Sequence, residues 1–490
     1  MLFNSYAFIL AFLPATLALF FLFARVGHGV ARAFLLIASF AFYAWWSVEY
    51  GLLIVATILV NYAFGLKIQR LADAHHRHAR LLLAVAVSTN LALLGYFKYR
   101  NFFIDNVNLF TGADWPLTSL VLPLAISFHT FQQIAYLVDS YRRKVEQPSL
   151  ATYGLFVLFF PQLIAGPIVH HWQILPQFKD PRIYAFNSES FAAGLSFFVM
   201  GLAKKVLLAD PLASIADPIF NGAAGDAPAL SQAWVGVLAY TLGLYFDFSG
   251  YSDMAVGLAR MFGLRLPYNF NSPYKATSII DFWRRWHITL STWLRDYLYV
   301  PLGGNRHGKA RRYVNLLVTM LLGGLWHGAA WNFVFWGLLH GLYLVINHGW
   351  LAVTAERAQR GRPVALPGPV AWLLTFTAVA FAWVFFRSPT AQHAFAMVEG
   401  MAGLNGLHAS SLAAILGPGK AIVLVAAGAV ALLLPNTQQL IDGHQERAAA
   451  GRGIALRWRP SVTWAGAITG LLFAALTQMS AVREFIYFQF

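Results

Sequence analysis

Long apolar runs dominate the chain, and short clusters of basic residues separate them. A helix needs roughly 17–25 apolar residues to cross a bilayer. The pattern therefore predicts an all-α polytopic membrane protein with about ten or eleven transmembrane helices, most of them close to that length. The candidate spans are 6–24, 33–48, 51–66, 81–97, 115–138, 191–208, 233–246, 313–353, 364–386, 421–434 and 461–479.

One uncharged segment, 147–178, is interrupted by Pro161, Gly166, Pro167 and Pro176. Irregular backbone is tolerated at membrane depth only where protein buries it or where it lines a cavity. The segment is therefore predicted to be re-entrant rather than a simple span.

Composition narrows the class of protein. Hydrophobic residues make up 58% of the chain and charged residues 11%, against about 45–50% and 25% in soluble domains. The mean hydropathy is +0.57. A soluble enzyme, a disordered chain and a coiled coil are excluded. The solid apolar runs also exclude a transmembrane β-barrel, whose strands alternate.

The formal charge of +15 reflects basic residues in the loops, as the positive-inside rule requires, so nucleic acid is not indicated as a partner. The basic loops 25–32, 67–80, 142–144 and 442–459 are predicted to be cytoplasmic, with the N-terminus outside. The chain has no cysteine, which excludes disulfides, thiolate metal sites and a cysteine-bound acyl intermediate.

The segment 281–312 carries nine charged residues. Drawn as a continuous helix, it places its polar residues within an arc of about 120° and its aromatic residues opposite. It could lie in the headgroup layer with arginines on lipid phosphate, or it could line a polar cavity inside the membrane. The polar arc comprises Asp281, Arg284, His287, Ser291 and Arg295.

His327 lies in an uncharged run, 313–355, and has three glycines close by. An imidazole in such a run is a functional candidate, and the alternative is a buried histidine bonded to a neighbouring helix. A metal site with His340 and His348 is disfavoured, because 13 residues turn a helix by about 220° and point the side chains apart. Asp247 and Asp253 could be structural or could line a cavity.

Two blocks, RRWHITLSTWLRDYLYVPLGGNR and GGLWHGAAWNFVFWGLLHG, together resemble the membrane-bound O-acyltransferase (MBOAT) family. The resemblance is to the bacterial branch that O-acetylates alginate and other exported polysaccharides, and it extends along the chain through segments such as FDFSGYSDMAVGLARMFG. It implies one integral membrane domain over 1–490, with re-entrant and amphipathic helices around a central channel. The catalytic segment would be 281–353.

The resemblance also implies site residues. The family's histidine matches His327, which would be the general base for attack of a hydroxyl on a thioester. His287 would be a second catalytic residue that orients the acyl donor or polarises its carbonyl. Arg284, Arg285 and Arg295 would bind the donor, although the first two could equally be topology charges. The donor would be acetyl-CoA or an acylated carrier, with no bound cofactor and no metal.

The implied surroundings are a bacterial inner membrane, a polysaccharide acceptor and a separate extracytoplasmic SGNH-type acetyltransferase or esterase subunit. Acetyl could pass directly to the polymer or through that partner. The competing interpretations are a transporter or lipid-linked sugar flippase and a structural subunit of a secretion complex. A processive glycan synthase is disfavoured, because its QxxRW motif needs Gln where Phe282 stands.

Overall fold

The computed structural model describes residues 1–74, 76–361, 364–407, 410–443, 457–479 and 485–486, and the regular structure within these ranges is helical throughout. Most of the predicted cytoplasmic loop 442–459, including Arg447 and Arg452, lies outside the described residues. Two compact units are present: Met1–Leu202 with Tyr251–Tyr268 and 459–488, and Ala203–Gly250 with Asn269–Trp458 and 489–490.

Most helices follow one another along the chain with short connections, and longer ones lie at 112–125 and 262–278. Single 3₁₀ turns lie at Gln177–Lys179, Pro181–Tyr184 and Pro273–Lys275, and a separate π-helical turn lies at Arg295–Tyr299. The helices are α1 (Ala7–Val26), α2 (His28–Ala44), α3 (Val48–Ala74), α4 (His76–Thr111), α5 (Ile126–Tyr141), α6 (Leu150–Leu158), α7 (Phe160–Leu163), α8 (His171–Ile174), α9 (Ser188–Gly222), α10 (Leu230–Met261), α11 (Ile279–Trp283), α12 (Ile288–Leu294), α13 (Gly308–His327), α14 (Trp331–Gln359), α15 (Gly368–Arg387), α16 (Ala391–Met401), α17 (Ser410–Leu433), α18 (Thr437–Ile441) and α19 (Val462–Gln478).

Seven helices in the described part of the chain are long and apolar enough to cross a membrane: α1, α3, α4, α9, α14, α15 and the part of α17 from Ile415 to Leu433. The shorter α2 and α19 are also apolar. This architecture confirms the predicted all-α polytopic class.

The first unit joins membrane helices through buried polar side chains. Asn61 on α3 and Asn90 on α4 exchange amide hydrogen bonds of 3.1 and 2.6 Å, and Gln133 on α5 donates to Thr57 at 3.1 Å. Hydrogen bonds between side-chain amides on facing helices stabilise helix association in apolar surroundings.

The predicted interruption of 147–178 is confirmed, since short helices α6, α7 and α8 alternate with irregular backbone. The predicted helical span 115–138 is wrong in its first half. Residues 112–123 are not helical and α5 begins only at Ile126. Pro116 and Pro123 explain the difference, because proline disfavours a helical conformation in the residue before it and cannot donate a backbone hydrogen bond.

The second unit contains the hairpin of α13 and α14, which confirms the prediction that 313–353 forms a tight pair of helices. Gly324 and Gly337 allow the pair to pack closely. A Cβ on Gly324 would collide with the carbonyl oxygen of Phe333, and one on Gly337 with that of Met320. Small residues at a helix crossing permit this approach of the two backbones.

The predicted continuous amphipathic helix over 281–295 is wrong. Helix α11 ends at Trp283, residues 284–287 form a turn, and α12 starts at Ile288. The aromatic side is nevertheless buried, with Phe282 and Trp286 each 1% exposed. The polar residues therefore do not share the single helical face that the uniform 100° spacing predicted.

Candidate active site

His327 is the last residue of α13, and only residues 328–330 separate it from α14. Gly328, the residue after it, has extended backbone with φ −158°. A side chain on Gly328 would collide with the ring of Phe333. The sharp return of the chain therefore places His327 at the end of the helical hairpin.

Aromatic rings surround the His327 imidazole, which is 5% exposed. The ring centroids of Trp326, Trp336 and Phe386 lie 5.0, 5.1 and 5.3 Å from that of the imidazole, all in edge-to-face geometry. Such a shell excludes water and strengthens electrostatic interactions between any reacting groups inside it.

His287 lies in the turn between α11 and α12, in the left-handed region with φ 42° and ψ 54°. A non-glycine residue in this region costs about 1–3 kcal/mol, and the surrounding structure must hold it in place. Two backbone hydrogen bonds do so: Asn271 donates to the Arg285 carbonyl at 2.9 Å, and Ile288 donates to the Asn269 carbonyl at 3.0 Å.

The side chain of Asn269 fixes the tautomer of His287. Its Oδ1 accepts from the Thr289 backbone N–H at 3.3 Å and from the Thr289 hydroxyl at 2.8 Å. The same oxygen lies 3.1 Å from His287 Nδ1, so Nδ1 carries the hydrogen and Nε2 is the acceptor of the neutral ring. Burial lowers the pKa of His287 to about 3, which keeps the ring neutral.

The two predicted catalytic histidines lie together in the second unit. Their ring centroids are 6.5 Å apart and the planes make an angle of 59°. Trp326 lies edge-on to both, with centroids 6.3 Å from His287 and 5.0 Å from His327. Residues 40 positions apart in the sequence therefore share one aromatic enclosure.

A third imidazole, His340, lies behind Trp336. His340 is 0% exposed, and its centroid is 4.8 Å from that of Trp336, which also contacts His327. The indole N–H of Trp283 donates to His340 Nδ1 at 3.3 Å. From the sequence, His340 is predicted only as a disfavoured metal ligand, and its contact with Trp336 is not predicted. The i,i+4 spacing from Trp336 is the signal that could have found it.

The predicted donor-binding arginines are not part of this enclosure. Arg285 is half-buried, with its Nε bonded to Asp281 at 2.8 Å. Arg295 is 62% exposed at its side chain and pairs with Asp296 at 2.7 Å. Arg284 is exposed.

A small basic cluster forms near Arg284. Arg312, near the start of α13, contacts Nδ1 of His348 on α14. Arg312 and His348 are therefore in contact, and Arg284 lies in their electrostatic surroundings.

Asp247, left open between a structural and a cavity-lining role, belongs to a buried ion cluster. The Lys205 ammonium lies 2.6 Å from Asp247 and 2.9 Å from Asp210. Lys205 and Asp247 are each 1% exposed. Among the residues that the structure describes, no group of three or more His, Asp or Glu side chains is arranged to hold a metal ion.

Residues 138–386 match the sequence profile of the membrane-bound O-acyltransferase family, and this match includes His287, His327 and His340. The chain belongs to the membrane-bound O-acyltransferase family. The resemblance stated from the two sequence blocks is thereby confirmed, and so is the enzyme class. The protein is a multi-pass bacterial membrane acyltransferase.

Relatives extend the comparison beyond the family profile. The chain is 44% identical to the peptidoglycan O-acetyltransferase of Helicobacter pylori, over 83% of this chain and 81% of that protein. It is 40% identical to a probable alginate O-acetylase AlgI of Pseudomonas putida over the full length of both. A teichoic acid D-alanyltransferase of Streptococcus thermophilus is 28% identical, over 50% of this chain and 62% of that protein.

Proposed function

We propose that this protein transfers an acetyl group from a cytoplasmic thioester to a hydroxyl group of an exported polysaccharide or of an extracytoplasmic partner protein. Alginate is the polymer that the proposal favours, because a probable alginate O-acetylase matches the whole chain. The observation that carries the proposal is the pair of buried imidazoles, His287 and His327, 6.5 Å apart in a water-poor aromatic enclosure.

In this proposal His327 is the general base. A neutral hydroxyl attacks a thioester poorly, and an imidazole that takes its proton in the transition state accelerates attack by typically 10²–10⁴-fold. The hydroxyl oxygen bonds to the acyl carbon, and its proton moves to His327. The carbon–sulfur bond then breaks, and the leaving thiolate takes the proton from His327.

His287 orients the donor. Because its Nδ1–H is committed to Asn269, the neutral ring presents Nε2 as a hydrogen-bond acceptor. An acceptor cannot polarise a carbonyl, but it can receive an N–H group, and the pantetheine arm of coenzyme A or of an acyl carrier has amide N–H groups. The tautomer therefore supports donor placement over carbonyl polarisation.

The basic cluster of Arg284, Arg312 and His348 binds the phosphates of the donor. Guanidinium groups bind phosphate through paired, charge-assisted hydrogen bonds. Arg285 and Arg295 already pair with carboxylates, so Arg284 has the larger role among the three predicted arginines. The enzyme acts in the inner membrane with an SGNH-type partner on the outer side.

The test compares cells that have the gene with cells that lack it. The proposal expects a polymer exported in the normal amount but without acetyl esters when the gene is deleted, with acetylation restored by the intact gene. Loss of export itself would contradict the proposal and favour a flippase or a structural subunit of the secretion complex.

A further inference from the structure

Two buried N–H groups on α14 have no acceptor within the described part of the chain: Nε1 of Trp336 and Nε2 of His340. Both residues are 1% exposed or less. A buried donor without an acceptor costs about 1–3 kcal/mol. Such a cost at an active site is expected where the missing acceptor arrives with the substrate.

The tautomer of His340 makes its Nε2 a donor. The indole N–H of Trp283 points at Nδ1 of His340 at 3.3 Å. An indole nitrogen can only donate, so Nδ1 must accept and the hydrogen of the neutral ring lies on Nε2. Trp283 and Asn269 thus fix opposite tautomers in two histidines of the second unit, an acceptor Nε2 in His287 and a donor Nε2 in His340.

The two donors lie on one face of α14, because residues four apart are neighbours on a helix. The centroids of Trp336 and His340 are 4.8 Å apart, and the Trp336 ring is edge-to-face with the His327 imidazole at 5.1 Å. The donors and the proposed base are therefore consecutive members of one buried cluster.

We propose that Trp336 Nε1–H and His340 Nε2–H form the oxyanion site of the acyl transfer. This proposal rests on the proposed function. When the acceptor oxygen bonds to the acyl carbon, the π electrons of the carbonyl move onto its oxygen, and the two N–H groups stabilise that negative charge. The electrons return when the carbon–sulfur bond breaks. Preorganised donors in a water-poor site are effective because they do not have to reorient during the reaction.

The Trp336→Phe variant tests the proposal most cleanly. It removes the N–H group and retains an aromatic ring against His327. Removal of one oxyanion donor costs about 10²–10³-fold in turnover, so we expect a loss of that size, seen mainly in kcat. Because the deleted donor has no acceptor within the described residues, the melting temperature should be unchanged or higher.

Trp372→Phe is the matched control. The Trp372 indole N–H donates to the Tyr274 carbonyl at 2.8 Å, so its loss should lower the melting temperature and leave turnover within a few-fold of wild type. At the second donor, His340→Gln keeps an N–H group near the position of Nε2 and should retain more turnover than His340→Leu.

The measurement is the rate of thiol release from acetyl-CoA by the full-length protein in detergent, with a thiol reagent as indicator, alongside thermal unfolding. The absence of cysteine from the chain removes any protein background. Wild-type turnover in Trp336→Phe would overturn the oxyanion assignment, and so would a loss explained by a lower melting temperature. A wild type that releases no thiol, and leaves the polymer unacetylated in cells, would instead refute the proposed function.

Discussion

At the scale of single residues, the site depends on how hydrogen bonds fix the protons of its imidazoles. Asn269 and Trp283 each occupy Nδ1 of one histidine, the first as an acceptor and the second as a donor. The consequence is that His287 and His340, chemically identical side chains, present opposite groups at Nε2. Neither protonation state requires a charge in the apolar enclosure.

Burial of His287 gives a pH-dependent stability. Its folded pKa of about 3 lies below the value near 6.5 in the unfolded chain, so only the unfolded chain takes up this proton as the pH falls below 6.5. Stability should therefore decrease from pH 6.5 towards pH 3, by up to about 1.4 kcal/mol for each pH unit.

His287→Asn keeps an N–H donor near the position of Nδ1 for Asn269 and removes the titration. Between pH 7 and pH 5 the free energy of unfolding should decrease in both proteins. We expect the decrease to be about 2 kcal/mol smaller in the variant than in wild type. The measurement is denaturant unfolding of the detergent-solubilised protein at both values. Equal losses in the two proteins would contradict the assignment of a buried neutral His287.

The sequence predicted His327 and His287 as site residues but not their relation to one another. A histidine in an uncharged run stands out against its neighbours, so His327 is visible locally. The left-handed conformation of His287 depends on bonds to Asn269 and Asn271, 16–18 residues away. The spacing of polar and apolar residues does not reveal hydrogen bonds to distant residues. A uniform turn of 100° per residue therefore predicted a continuous helix through His287, where the structure has a turn.

At the scale of elements, the hairpin of α13 and α14 sets the position of His327. Gly337 lies at a close approach of the two helices, and a methyl group there would collide with the Met320 carbonyl. We expect Gly337→Ala to destabilise the protein by about 1–3 kcal/mol through overpacking and to lower activity with it.

Gly349→Ala is the control on the same helix, since nothing lies within 4 Å of its Cβ position. It should be neutral or slightly stabilising, because alanine favours the helix. The measurement is the melting temperature of each purified variant, which should be lower for Gly337→Ala than for Gly349→Ala. Equal values would show that the close approach at Gly337 does not support the hairpin.

The proposed phosphate cluster gives another prediction for these elements. A hydrogen bond to a charged group contributes about 1.5–3 kcal/mol, so Arg284→Ala should raise the KM for acetyl-CoA roughly 10–100-fold with little effect on folded yield. Arg360→Ala, which removes an exposed arginine paired with Glu356 at the end of α14, should leave KM unchanged. An unchanged KM in Arg284→Ala would remove Arg284 from the donor site.

The elements also show which sequence signals were sufficient. The pair of helices in 313–353 was predictable because one long uncharged run with internal glycines allows little else. Hydropathy predicts the span 115–138, but Pro116 and Pro123 interrupt its first half. The proline positions alone indicated that the helix begins near Ile126.

At the scale of the whole molecule, composition alone decided the class, since 58% hydrophobic residues in solid runs leave no soluble alternative. Orientation in the membrane is a separate question. The basic loops predict that Ala74, at the end of α3, faces the cytoplasm and that Asp114, after α4, faces outwards. Both residues are exposed.

Single-cysteine labelling in intact cells tests this orientation without a background, because the chain has no cysteine. An impermeant reagent should label Asp114→Cys and should reach Ala74→Cys only after the cells are opened. Labelling of Ala74→Cys in intact cells would reverse the predicted topology and place the N-terminus inside.

The central claim is that His327 acts as a general base in acetyl transfer, and the most direct measurement is the acetyl content of the exported polymer in His327 variants. His327→Gln keeps hydrogen bonding and most of the side-chain volume but cannot take a proton near neutrality. With a contribution of about 10²–10⁴-fold, equivalent to about 3–5 kcal/mol, His327→Gln should be nearly as inactive as His327→Ala at equal membrane protein level. Normal acetylation in His327→Gln would contradict the claim.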